Sequence, residues 1–511
     1  MTIRCGADIP SHFVAHDSCS SGYRARYRAG LVGGAFIALA AYASNAVSAE
    51  PDPPTAASSP AASASAPVPR ALPGDRPESQ AEPNYRLPAI EIVGFEFLLN
   101  RVNRYYGTQR DDYRVTASSI RRNLGSGWGT DQDPFQINQL GHPYQGAMYH
   151  GFGRSVGLDY WQSLGYSFAG SALWEIAGEQ THPSRNDQVA SGIGGTFLGE
   201  ALFRMSSLVL ERGGGLPRFW REVAATAIAP SAGFNRLVFG ERYGGVFSSH
   251  DAAYFSRLQF GYTGNVKRDL GTSTTNVKRN EAQVDYSIDY GLPGKPGYEY
   301  TRPFDYFNFR ATASSANGIE NLMTRGLLYG RSYEAGRNSR GVWGLYGSYD
   351  YIAPQTFRVS STALSLGSTA QWWLGESLSL QGTAMAGLGY AAVGTTRGAA
   401  GERDYNYGVA PQILLALRLT RGDTASLDLT AREYFVSSVA SGTNGGHDNI
   451  IRGDASFTYR FSKLQAVTLR VLGNRRDATF ATAGTQRQTQ VTVGIFYTLL
   501  GQDGFGAVDW R

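Results

Sequence analysis

The sequence predicts a mixed fold: an N-terminal α-helical domain followed by a transmembrane antiparallel β-barrel of about 12 strands. Three observations predict it. The first is composition: of 511 residues, 17% are charged and 12% aromatic, with 63 Gly and 30 Tyr. Low charge with abundant Gly and Tyr suits a wall that faces lipid and carries aromatic girdles better than it suits a soluble enzyme. The second is a change of period near residue 252, from helical spacing to strict alternation of apolar and polar residues. The third is the number and length of the alternating segments.

Taken from the N-terminus, Arg24, Arg26 and Arg28 precede LVGGAFIALAAYA (31–43), an apolar run too short for a transmembrane helix. Small residues at Val47 and Ala49 place signal-peptide cleavage before Glu50, giving a signal over 1–49. The stretch before Arg24 is long for such a signal, which points to a translation start later than Met1. Cys5 and Cys19 both fall in the removed part, so a mature chain without thiol or disulfide chemistry is expected. Residues 50–84 are rich in Pro, Ala and Ser with almost no large apolar side chains, and read as a disordered linker. The net charge of +5 comes without a Lys/Arg run interleaved with aromatics, which excludes nucleic acid as a partner.

A helical periplasmic or luminal domain is expected over 85–248. AIEIVGFEFLLNRVNRYYG (89–107) opens it, extended and then helical; a turn-rich stretch follows over 125–151. Helices are expected at about 153–179, 187–212 and 219–230. In the first of these, Ser163, Ser167, Ser171, Glu175 and Glu179 form an i, i+4 ladder that shares one helix face. The hydroxyls read as a tight helix contact, with Gly195 and Gly199 of the next helix as partners. The carboxylates do not fit that reading. Glu175, Glu179 and mid-helix Glu200 each need a cation, a donor or water, with Arg154, Arg185, His182 and His142 as candidates. In PSRND (183–187), Asn186 or Asp187 is expected to cap the following helix, with Ser184 bonding nearby amides. His142 precedes a proline and is expected to be extended, as a positioned catalytic group or as a packed loop residue.

These residues also carry a resemblance. WxxDxDPFxxNQxxHPYQG, RSxGxxYWxSxxY, GSxxWExxGE and PSRND with a Gly-rich helix, over about 95–205, resemble the domain-of-unknown-function family numbered 3943 of Gram-negative envelopes. The resemblance implies an envelope location and a shared helical module, and it implies no activity.

The barrel is expected over 249–511. QVDYSIDY (283–290), ASFTYRF (455–461) and VTVGIFYTL (491–499) each present one apolar and aromatic face. Twelve such segments can be counted, most of them long enough for a tilted crossing. Short turns such as 421–423 and 462–463 contrast with polar, Gly-rich loops at 439–449 and 477–488. Arg257, Asp285, Asp289, Arg418, Asp428, Arg432, Asp454, Arg460 and Arg470 fall on the inward face, either paired with one another or lining a solute path.

Two readings of function follow. In the preferred one, the helical domain plugs or underlies an outer-membrane barrel with a passage or structural role, and Glu175 and Glu179 pair with inward Arg418, Arg460 or Arg470. In the other, the protein is an outer-membrane hydrolase or transferase acting on lipid, with His142, Glu175, Glu179, Ser184 and Asp187 as acid–base candidates. There is no GxSxG elbow, Walker loop or dinucleotide fingerprint. No cofactor is expected. Nor is a metal, because HExxH is absent and His142, His150 and His182 have no diagnostic spacing relative to Glu175 and Glu179. The expected partners are outer-membrane lipid and, during insertion, the barrel-assembly machinery; the expected location is the bacterial outer membrane.

Overall fold

The computed structural model describes residues 82–511 apart from 108–109, 132, 214, 270–279, 355, 396–404, 439–444 and 481–483. The expected signal, the expected linker as far as residue 81 and both cysteines lie outside the described residues, as does part of each polar loop.

Twelve strands close into a barrel in which every strand pairs antiparallel with its sequence neighbours, and β1 pairs with β12. The first four are β1 (Tyr254–Asp269), β2 (Asn280–Tyr290), β3 (Phe307–Ser314) and β4 (Gly318–Glu334). Then come β5 (Ser339–Ile352), β6 (Phe357–Trp373), β7 (Leu378–Thr395) and β8 (Tyr405–Arg421). The last are β9 (Ala425–Ser438), β10 (Gly446–Ser462), β11 (Gln465–Phe480) and β12 (Gly484–Leu500). Each agrees with an alternating segment of the sequence. The segment expected as a loop at 477–488 instead extends β11 and β12 into a long hairpin. Entry to β1 and exit from β12 share one end, the turn end, where 335–338, 374–377, 422–424 and 463–464 are short connections. The other end is the loop end.

The lumen is crossed by ion pairs. Arg257 of β1 reaches Asp428 of β9 at 2.9 Å, Arg418 of β8 reaches Asp289 of β2 at 3.0 Å, and Arg310 of β3 reaches Asp454 of β10 at 3.0 Å. Arg470 pairs with Asp454 and Asp285, and Arg432 with Asp350. Inward charges of both signs therefore neutralise one another across a narrow interior. Arg460 lies near the turn-end mouth, close to Asp423 and Asp503. The tail after β12 folds into that mouth. Gln371 and Val508 exchange backbone–side-chain hydrogen bonds, Gln381 donates to Gly506 O, and Phe505 packs on Phe255.

Seven helices precede the barrel among the described residues. They are α1 (Arg86–Tyr106), α2 (Ala117–Gly125), α3 (π-helical Ile137–Gly141 running into His142–Ser155) and α4 (Tyr160–Leu173 running into π-helical Trp174–Gly178). They continue with α5 (Arg185–Arg212, π-helical over Gln188–Gly194), α6 (Arg218–Ile228) and α7 (Pro230–Phe239). The stretch at 89–107 is helical throughout rather than extended at its start, and the expected single helix over 153–179 is divided by a turn at 156–159.

Strand parity fixes where these helices sit. On β5, Asp350 points inward to Arg432, so Tyr349 and Tyr351 point outward; Tyr349 donates to Gln139 O and Tyr351 packs on Phe135. On β8, Gln412 and Arg418 point inward, so Tyr405 and Tyr407 point outward, and they meet Asn138, Gln139 and Asn186. On β2, inward Asp285 and Asp289 leave Tyr286 and Ile288 outward, beside Met205 and Leu208. The helical domain is thus clamped to the outer surface of the barrel wall. It neither plugs nor underlies the lumen, which corrects the first reading: the ion pairs that cross the lumen leave no space for a helical domain, only a small polar cavity between Arg257, Asp289, Arg418 and Asp454, whereas the outward aromatics of β2–β5 offer an apolar seat. The rest of the outer wall keeps a bare apolar band, with Leu366, Leu388, Ile413, Phe457, Leu469 and Ile495 exposed.

α5 crosses this wall obliquely. Its start meets Tyr407 at the loop end, and Arg204, further along, pairs at 2.9 Å with Asp305, which precedes β3 at the turn end. At 28 residues, or about 42 Å at 1.5 Å per residue, it is long and apolar enough to cross a membrane.

Candidate functional site

Three helices meet around one buried polar cluster, and each bears a π-helical segment there. Such single-turn widenings reorient the side chains beside them and recur at functional sites. His142 follows the first π segment, Glu175 lies within the second, and Asp187 immediately precedes the third. Close approach is set by glycine. A Cβ on Gly195 of α5 would stand 2.6 Å from the Gly146 Cα of α3, so any side chain there would part the helices.

Those contacts correct the expected partner of the serine ladder. Ser167 donates to Gly146 O and Ser163 lies against Gly153, both on α3, and only Ser171 reaches α5, at Asp187 O. Gly195 and Gly199 also face α3. The tight-contact reading of the hydroxyls holds, but α3 is the shared partner, because α3 lies between the two helices along most of their length.

α3 went unread in the sequence because Pro143 follows His142. The structure places His142 in the right-handed helical region, at φ −60° and ψ −46°, rather than extended. Pro143 cannot supply an N–H to the preceding turn. The freed carbonyl, Gln139 O, accepts the Tyr349 hydroxyl instead. The helix is rescued by the barrel wall.

At the cluster, Ser184 caps α5: its hydroxyl accepts from Asp187 N and bonds the Asp187 carboxylate. Asn186 and Asp187 therefore sit inside the first turn rather than capping it. Ser184 N donates to Glu175 Oε2 at 2.8 Å, and Asn186 Nδ2 donates to Asp187 Oδ1 at 3.0 Å. His142 Nδ1 faces the Ser191 hydroxyl at 3.4 Å, and its Nε2 stands 3.9 Å from Asp187 Oδ1. Glu179 accepts from Thr181 at the cluster's edge. Glu175 is wholly buried, and its Oε1 has no hydrogen-bond partner. Among the described residues no Lys or Arg forms an ion pair with Glu175, Glu179 or Asp187. The expected pairing of Glu175 and Glu179 with Arg418, Arg460 or Arg470 does not occur, because Arg418 and Arg470 point into the lumen on the far side of the wall and Arg460 lies at the turn-end mouth.

A second buried cluster on the same module is fully paired. Glu200 is held by His150 at 3.0 Å, Arg154 at 2.9 Å and Arg204 at 2.8 Å. Arg154, Arg204 and Arg302 lie over the Phe247 ring. Of the candidate cations, Arg154 thus serves Glu200 and His142 stands beside Asp187, while His182 and Arg185 are exposed.

This geometry falls within a recognisable segment. Residues 127–231 match the family model described as Domain of unknown function (DUF3943). The DUF3943 segment contains α3–α6, every named residue of the first cluster and the Glu200, His150, Arg154 and Arg204 set, while Phe247 and the barrel lie outside it. No curated protein matches the chain. Among solved structures, the NanC porin is similar at 6% identity, covering 47% of this chain and 98% of that one, with a TM-score of 0.24. The Ralstonia pickettii toluene transporter TbuX is similar at 9% identity over 48% of this chain and 89% of its own, with a TM-score of 0.20. An anion-selective porin from Comamonas acidovorans is similar at 10% identity over 49% and 99%, also with a TM-score of 0.20.

Some residues at the DUF3943 site were not singled out in the sequence. Asp131, Asn138 and Gln139 stand inside the WxxDxDPFxxNQ motif and could have been found from it. Asp131 accepts from Asn138, which bonds Tyr405 and Tyr407 in turn. The tyrosines carry no local signal, since an alternating strand reads them simply as outward aromatics.

Proposed function

We propose that this is a bacterial outer-membrane protein in which the barrel is an anchor and the helical module is the working part, acting on membrane lipid. The observation that supports this reading is the placement of the His142–Glu175–Asp187 cluster on the outside of the wall, beside the loop-end tyrosines of β8. Both ends of the barrel segment and four of the five turn-end connections, each of two to four residues, lie at the opposite end, which supports an outer-leaflet position for the cluster. The module also leaves Ile90, Phe97, Leu98, Phe219 and Leu237 exposed, a surface that suits lipid better than water. A lumen crossed by ion pairs and occupied at one mouth by the chain's own tail favours an anchor over a passage. The acid–base groups available to lipid chemistry are His142 and the carboxylates of Glu175 and Asp187.

The test combines two measurements on the full chain. Purified protein in planar bilayers is expected to conduct no ions, and a deletion strain is expected to show a changed outer-membrane lipid profile that the full chain restores and His142→Ala does not. Steady conductance with an unchanged lipid profile would return the account to a passage.

A further inference from the structure

We infer that His142, Glu175 and Asp187 form a binding site for one divalent first-row metal ion, zinc or manganese. One ligand atom from each residue lies within 4.8 Å of the others, and all three side chains are buried. Two ligands each about 2.1 Å from an ion stand roughly 3–4 Å apart. The 3.9 Å between His142 Nε2 and Asp187 Oδ1 is too long for a hydrogen bond and falls inside that window.

The surroundings are those of a ligand set rather than of a closed hydrogen-bond network. Glu175 Oε1 is buried without a partner, although its sister oxygen is fixed by Ser184 N. An unpaired buried carboxylate oxygen costs free energy, and a cation removes that cost. Asp187 is oriented by Ser184 and Asn186, and His142 Nδ1 is engaged by Ser191, which leaves Nε2 as the free nitrogen. Ligands steered by neighbours in this way are the usual outer layer of a metal centre. Charge points the same way: two carboxylates face one imidazole with Glu179 close by, and no guanidinium or ammonium among the described residues pairs with them. The Glu200 cluster on the same helix shows the alternative, a buried carboxylate satisfied by two arginines and a histidine. One nitrogen with carboxylate oxygens selects zinc or manganese over calcium, which takes six to eight oxygens.

The site stands independently of what the module acts on, because metal content is read without lipid. The experiment is titration of the full-length, detergent-folded protein with zinc, with cobalt as a spectroscopic substitute. About one equivalent of zinc retained after gel filtration, and cobalt visible bands, are expected. Glu175→Gln and His142→Ala are expected to lose both while Glu200→Gln, if folded, keeps them. If the variants fail to fold, the wild-type titration decides alone. Absence of bound zinc, manganese and cobalt in the wild type, or undiminished binding in folded His142→Ala, would overturn the assignment.

Discussion

Asn186 donates its side-chain amide to the Tyr407 hydroxyl at 2.9 Å, joining the first turn of α5 to an outward-facing side chain of β8. Gln139 Nε2 meets the same hydroxyl at 2.9 Å and Asn138 Nδ2 at 3.3 Å. One phenol therefore gathers three amides at the seam between module and barrel.

Tyr407→Phe is expected to loosen that seam without harming the barrel. Leaving buried amide donors without their acceptor costs about 1–3 kcal/mol. Limited proteolysis in outer membranes should cut the 85–248 region faster, while the heat-modifiable band shift of the barrel stays as it was.

Glu200→Gln should be among the most damaging single changes in the module. It removes the carboxylate shared by buried Arg154 and Arg204, although Arg204 keeps Asp305, and breaking such a set by removing one partner costs about 3–5 kcal/mol. Thermal protease sensitivity of the module reads this directly, and a variant as resistant as the parent would contradict the pairing.

Glu175→Gln is expected to do the opposite. No cation pairs with Glu175 among the described residues, so the change removes a buried charge rather than a partner. In metal-free protein, stability should be unchanged or higher, whereas complementation of a deletion strain should fail. Loss of folding equal to that of Glu200→Gln would argue for a purely structural role.

The ladder gives a size-dependent prediction. Ser163→Ala, Ser167→Ala and Ser171→Ala together should be mild, since small side chains keep the α3–α4 contact. Ser167→Leu should cost about 1–3 kcal/mol or more by overpacking against Gly146. Protease resistance of the two variants should therefore differ sharply.

How much of this was legible follows from the range of each interaction. Alternation in β2, β10 and β12 is a local property of the backbone, so strands and their inward charges could be read directly; that opposite inward charges pair follows from the need to neutralise a narrow lumen, but which partner each takes, as Arg257 takes Asp428, does not. The ladder's small hydroxyls likewise announced a close helix contact. What local pattern cannot carry is the side of the wall on which the helices rest. Tyr349, Tyr405 and Tyr407 look like girdle residues until α3 and α5 are placed over them. The π-helical turns at His142, Glu175 and Asp187 break the 3.6-residue period that locates helices, and Pro143 disguises the start of one. The carboxylates were noticed, but their neighbours are set by a three-helix junction that spacing along the chain does not encode.

The central claim is that the helical module rests on the outside of the barrel, and one engineered disulfide tests it most directly. A Cβ built on Gly194 of α5 lies 2.7 Å from Thr362 Oγ1 on the outward face of β6, within reach of disulfide geometry. Oxidation of Gly194→Cys/Thr362→Cys in outer membranes, followed by cleavage between module and barrel, should leave the two parts covalently joined, while Gly194→Cys paired with inward-facing Ser361→Cys should leave them separable. Joining through position 361 and not through 362 would place the module in the lumen and contradict the account.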